Sequence, residues 1–210
     1  MTPEQIKDFF TRLQNKNPEP KGELEYINTY TLLVAVVLSA QSTDVGVNKA
    51  TRSLFKKIKT PQDMLKLGEE GLKEYIKTIG LYNTKAKNII KLSESLVANY
   101  NGKVPDKCEE LVKLAGVGRK TANVVLNIAF GQAVIAVDTH LFRVSNRTGL
   151  ANAETPDAVE KALLKTIPPE FLHHAHHWLI LHGRYICKSR KPLCSECIVS
   201  DLCAFGEKTL

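Results

Sequence analysis

Residues 111–131 read LVKLAGVGRKTANVVLNIAFG, and the architecture turns on how this stretch folds. Leu111 and Leu114 close one short helix, Gly116-Val117-Gly118 makes a tight turn, and Arg119 to Phe130 forms a second, apolar helix. Two glycines around one apolar residue let the backbone turn sharply and come close to something bulky. The turn opens onto a helix N-terminus, where unpaired N–H groups and the positive dipole end favour a phosphate. Lys113, Arg119 and Lys120 add positive charge. An ordinary helical hairpin needs capping glycines too, and Lys120 taken alone reads as a phosphate contact.

Outward from the hairpin, helix punctuation recurs and strand signals are scarce. Thr2-Pro3-x-Gln5 carries a cap, a first-turn proline and a capping-box partner, and Thr60-Pro61 and Thr155-Pro156 repeat the cap-plus-proline start. Gly68, Gly80, Gly102, Gly131 and Gly149 fall where helical patterns stop. Ile89, Ile90, Leu92, Leu96 and Val97 form one stripe between Lys85 and Tyr100. Phe171, Ala175, Trp178, Leu179, His182 and Ile186 form another between Glu170 and Cys187. Leu32 to Leu38 is β-branched enough for a strand but has no partner strand, which favours a helix buried on all sides. The expected fold class is all-α, with about ten helices joined by short turns.

Four of the 5 cysteines stand as Cys187-x6-Cys194-x2-Cys197-x5-Cys203. The spacing makes a complete four-thiolate site in a basic loop containing Lys188, Arg190 and Lys191, with Arg184 just upstream. Structural zinc usually takes two short C-x2-4-C pairs. Here only Cys194 and Cys197 form one, and the wider gaps suit a larger object such as a cubane cluster. Cys108 is left over as a helix residue without a special role. His173-His174-x-His176-His177 places two histidines one helical turn apart, yet no carboxylate is spaced to complete a catalytic metal site. The run reads as part solvated face and part packing.

Composition bounds the function without naming it. The chain has 210 residues, 43% hydrophobic and 24% charged, and a net charge of +7 that permits a nucleic-acid partner without requiring one. The N-terminus lacks a secretory pattern, and the run from Leu32 to Leu38 is too short to span a bilayer. An odd cysteine count points to a reducing compartment.

The sequence GVGRKTA at 116–122 resembles the helix–hairpin–helix DNA-backbone motif, which grips phosphates and carries little sequence information. Together with IAVDTHLFRVSNR (135–147), LSAQSTD (38–44), IKTIGLYNTKA (76–86), HHWLILHGRYIC (176–187) and the cysteine spacing, it resembles the endonuclease III family. These are iron–sulfur DNA glycosylases and abasic-site lyases of base-excision repair. The resemblance covers nearly the whole chain. It implies a six-helix barrel at 22–131 containing the helix–hairpin–helix at about 108–130. It also implies a discontinuous helical domain, 1–21 plus 132–210, that carries one [4Fe–4S] cluster at 187–203 on Cys187, Cys194, Cys197 and Cys203.

The same resemblance makes Lys120 and Asp138 the catalytic pair. Lys120 sits at a helix start beside Arg119, where positive surroundings disfavour an ammonium, and a neutral amine can attack C1′ of a damaged nucleotide. Asp138 ends the apolar run Val134 to Val137 and precedes a helix from Thr139, which suits it both to stabilising positive charge on the sugar and to capping that helix. A base inside a duplex must be flipped out and its gap filled. Gln41, Leu81 and His140 are the expected fillers, with local packing, capping and a first-turn helix position as their plainer roles. Gly116, Gly118, Arg119, Arg184 and Lys191 complete the expected DNA contacts.

The reading is therefore a bifunctional glycosylase and lyase for oxidised pyrimidines in double-stranded DNA. A monomer in the bacterial cytoplasm at the nucleoid, with no membrane partner, is expected. The alternatives are an adenine-removing mismatch glycosylase of the same fold, which lacks a lysine at the position of Lys120, and a non-enzymatic DNA-binding protein with a four-cysteine zinc site.

Overall fold

A computed structural model describes residues 1–209. Among the described residues the regular structure is helical: α1 (Pro3–Lys16), α2 (Thr29–Ser39), α3 (Asp44–Lys57), α4 (Pro61–Ile76), α5 (Tyr82–Tyr100), α6 (Cys108–Leu111), α7 (Arg119–Phe130), α8 (Thr139–Thr148), α9 (Pro156–Thr166) and α10 (Pro169–Tyr185), then a 3-10 turn at Cys194–Glu196. No helix among the described residues is long and apolar enough to cross a membrane. The chain divides into two compact units, Glu23–Gly131 (the hairpin unit) and Met1–Gly22 with the segment from Gln132 onward (the cysteine unit).

In the hairpin unit, α2 is buried along its length from Tyr30 to Leu38, so a helix buried on all sides is what the apolar run makes. It packs against α3, α5 and α7, while α4 lies along α5. Asn28 closes a capping box at its start, and Tyr30 hydrogen-bonds Ser93 on α5 at 2.7 Å inside the core. Two local expectations are corrected. The first hairpin helix ends at Leu111, and Leu114 lies beyond it in a turn, still buried. Gly68 does not end a helix outright but kinks α4 with φ 73° and ψ 172°, a conformation only glycine takes without strain.

The cysteine unit joins both ends of the chain. Its core gathers Phe9 and Phe10 of α1, Leu141 and Val144 of α8, Val159 and Leu163 of α9, Phe171, Trp178 and Leu179 of α10, and Val199. Phe10 stacks on Phe171 at 5.7 Å, and the Trp178 Nε1–H donates to the Asn17 carbonyl at 2.8 Å. Arg12 donates to the Ile198 carbonyl at 3.0 Å and to Asp201 at 2.7 Å. That ion pair is partly exposed and screened by solvent, so the apolar core holds the termini together.

Candidate nucleic-acid interface

The hairpin turn is anchored from inside. Leu114 and Val117 are buried, so the loop can present its backbone outward. Gly116 has φ +76°, and a Cβ there would meet the Asn88 side chain at 3.0 Å, so conformation and space both favour glycine. Gly118 caps α7 without a side chain, and Arg119 and Lys120 follow as its exposed first residues. This is a helix start built to accept an anion.

Asp138 caps α8. One of its oxygens accepts from the backbone N–H groups of His140 and Leu141, both at 2.9 Å. The residue is half-buried behind the buried run Ile135–Val137, with His140 half-buried in the first turn. α8 and α10 meet closely at this point. A Cβ at Gly183 would lie 2.9 Å from His140 Cβ and 3.0 Å from a Val144 methyl, so this glycine in the last turn of α10 lets it reach α8. Arg184 follows it, half-buried in the last turn of α10.

Four non-glycine residues described here have left-handed backbone: Gln41 (φ 55°), Leu81 (φ 59°), Asn101 (φ 52°) and Lys191 (φ 49°). Three of them are expected DNA contacts. The conformation costs a non-glycine residue about 1–3 kcal/mol and gathers at functional sites. Gln41 occupies the third position of a turn in which Ser42 N–H donates to the Ser39 carbonyl at 3.0 Å. Ala40 precedes it with φ −56° and ψ 117°, the values of a type II turn, where glycine is the usual third residue. Leu81 stands just before α5 and is 62% exposed, although an apolar side chain at a turn tip has little reason to face water.

Cys187, Cys194, Cys197 and Cys203 line one pocket that opens to solvent, with His182, Ile186, Leu193, Val199 and Phe205 among its other walls. All four are free of disulfides, and Cys108 does not line the pocket. Among the described residues no three His, Cys, Asp or Glu side chains converge closely enough to hold one metal ion. Burial pushes the Cys197 and Cys203 thiols above the ordinary range, and iron would overturn that by binding thiolates. Four thiols around one pocket fit a polynuclear iron–sulfur group.

Two arginines that sequence reasoning did not single out organise the cysteine loop. Arg143 donates to the carbonyls of Cys187 at 3.0 Å and Gly183 at 2.7 Å. Arg147, one helical turn on, donates to the carbonyls of Lys188 at 2.7 Å and Ser189 at 3.0 Å, approaches the Cys187 sulfur at 3.9 Å, and lies 4.5 Å over the Phe205 ring. Their i, i+4 spacing inside IAVDTHLFRVSNR was the available signal. The histidine run splits as expected, His173 exposed and His176 and His177 buried, with burial pushing His177 down to about 4. His182 is buried, and its Nε2 lies 3.7 Å from the Cys197 sulfur.

Comparison with known proteins gives this arrangement a family. Residues 34–169 match the HhH-GPD superfamily base excision DNA repair protein, and residues 187–203 match the iron–sulfur binding domain of endonuclease III. The endonuclease III of Rickettsia conorii is 58% identical over 200 residues, 95% of each chain. The chain belongs to the endonuclease III family. The Escherichia coli K12 endonuclease III is 57% identical over 96% of this chain and 95% of its own. A solved endonuclease III trapped in a covalent intermediate with DNA superposes with a TM-score of 0.90 at 47% identity, covering 97% of this chain and 96% of that one. The chain is accordingly an all-α, helix–hairpin–helix DNA glycosylase and abasic-site lyase carrying one [4Fe–4S] cluster. Neither an adenine-removing glycosylase nor a zinc-bound DNA-binding protein is favoured by these likenesses.

Proposed function

We propose that this base-excision enzyme acts on oxidised pyrimidines in double-stranded DNA through Lys120 and Asp138. The Lys120 amine attacks C1′ of the flipped nucleotide, the C1′–N bond breaks, and the base leaves with a proton. Ring opening then gives an imine between Lys120 and C1′. The imine acidifies C2′, loss of that proton expels the 3′ phosphate, and water releases the cleaved strand. Asp138 stabilises positive charge on the sugar and moves protons between these steps, while its cap to α8 holds it in place. The covalent DNA intermediate of the 47% identical relative carries this reading, because a glycosylase that uses water has no covalent stage.

Cys187, Cys194, Cys197 and Cys203 are the proposed ligands of the cluster. When bound, it cross-links the loop and holds Lys191 and its neighbours towards phosphates. Gln41, Leu81 and His140 are the proposed gap-fillers, and Gly116, Gly118, Arg119 and Arg184 the proposed backbone contacts. The barrel and cluster-bearing domains follow the two compact units, the chain acts as a monomer, and its place is the bacterial nucleoid. Borohydride reduction on duplex DNA with one abasic site tests the central claim. The cross-link should map to the peptide containing Lys120, and a cross-link elsewhere would move the nucleophile. Iron and sulfide content should be unchanged in Cys108→Ser and lost in Cys197→Ser.

A further inference from the structure

The mechanism leaves a buried lysine unused. Lys85, in the first turn of α5, is 5% exposed. Its Nζ donates to the Leu38 carbonyl and to the Ser42 hydroxyl, each at 2.9 Å. Leu38 lies just before the turn Ser39–Ser42 and Ser42 ends it, so one ammonium grips the chain on both sides of Gln41. The backbone N–H of the same residue donates to the Leu81 carbonyl at 3.0 Å. A Cβ on Gly80 would lie 4.0 Å from the Gln41 carbonyl, so the two turns are neighbours. Three residues further along α5, Asn88 packs against the Gly116 turn of the hairpin.

We infer that Lys85 is a positioning residue for base flipping, clamping the Gln41 turn to the start of α5 so that Gln41 and Leu81 enter the duplex at a fixed spacing. Both turns hold a non-glycine residue in a left-handed conformation. Such strain persists only where the surroundings over-determine it. Burying a lysine away from water is costly, and burial accordingly lowers its basicity. A methionine would fill the same space without that cost, but it has no donor to hold Leu38 and Ser42. α5 then works as a ruler, with Leu81 at its start, Lys85 one turn in and Asn88 at the hairpin.

The inference rests on the gap-filling role proposed for Gln41 and Leu81, and the test separates the two. Single-turnover excision of 5-hydroxycytosine is measured with the cluster-loaded full chain. The lesion sits opposite guanine or opposite a tetrahydrofuran spacer, where no pairing resists flipping. Lys85→Met should slow excision of the paired lesion about tenfold and of the unpaired lesion less than about threefold. Ser42→Ala, which removes one bond without touching the lysine, should show the same pattern more weakly. It decides the question if Lys85→Met does not fold. Adding Gln41→Ala to Lys85→Met should slow the paired lesion no further, because both act on one insertion. Equal slowing on the two DNAs, or losses that multiply in the double variant, would overturn the clamp. If Gln41→Ala and Leu81→Ala each excise the paired lesion at the wild-type rate, the gap-filling role falls and the clamp falls with it.

Discussion

The hairpin turn at Gly116–Gly118 and the cysteine loop at 187–203 both carry exposed cations, yet they are held in opposite ways. The hairpin is anchored by its own apolar residues: Leu114 and Val117 are buried, and α7 begins two residues later. In the cysteine loop only Val199 is buried, and the chain is fastened from α8 by Arg143 and Arg147, with four thiols of its own around a pocket. A contiguous amphipathic stretch folds on its own apolar residues. A polar loop with one buried side chain cannot offset the entropy of ordering itself and needs cross-links. On the proposed reading, the difference puts the nucleophile on a stretch that holds itself and makes the loop's aim depend on its fastenings.

The largest expected effect lies at the hairpin. Lys120→Gln should lower both base removal and strand cleavage by more than about a thousandfold, with affinity for abasic duplex within about threefold, since it removes the proposed nucleophile and leaves the turn. Persisting covalent trapping would dissociate chemistry from the hairpin. Next comes Asp138→Asn, expected to slow single turnover about a hundredfold or more. Asparagine is as good a helix cap as aspartate, so the thermal midpoint should stay within a few degrees. A large fall in midpoint with unchanged turnover would reduce Asp138 to a cap.

The contrast itself breaks at Arg147. Arg147→Ala removes two carbonyl fastenings and the contact over Phe205, and should weaken DNA binding about tenfold at full iron content. Hydrogen exchange should rise in residues 187–203 and stay unchanged in 111–131. Exchange rising equally in both stretches would mean that the loop is not separately fastened. Lys191→Ala should act least, weakening binding a few fold across all sequences and flattening the salt dependence by about one phosphate contact. An unchanged slope with an intact cluster would give the loop a structural role alone.

Much of this was legible without coordinates. The caps at Thr2, Thr60 and Thr155 and the helix from Arg119 to Phe130 each obey a short-range rule, and each forms where the rule puts it. Where those rules misplaced an edge, as at Leu114 and Gly68, a buried side chain or a glycine kink replaced a clean helix end. The cysteine spacing was equally readable, because thiols separated by six, two and five residues have few other uses.

By itself, then, the sequence determined the helices, the hairpin and the thiol set, since each depends on residues a few positions apart and on local φ preferences or helical period. Only the tertiary structure decided that Lys85 is buried beneath Gln41, that Arg143 and Arg147 fasten the cysteine loop, and that Gly183 lets α10 reach His140. These contacts join residues some 40 positions apart, where no periodicity links them. A lysine in a helical pattern looks solvent-facing until its neighbours in space are known, and packing alone supplies those neighbours.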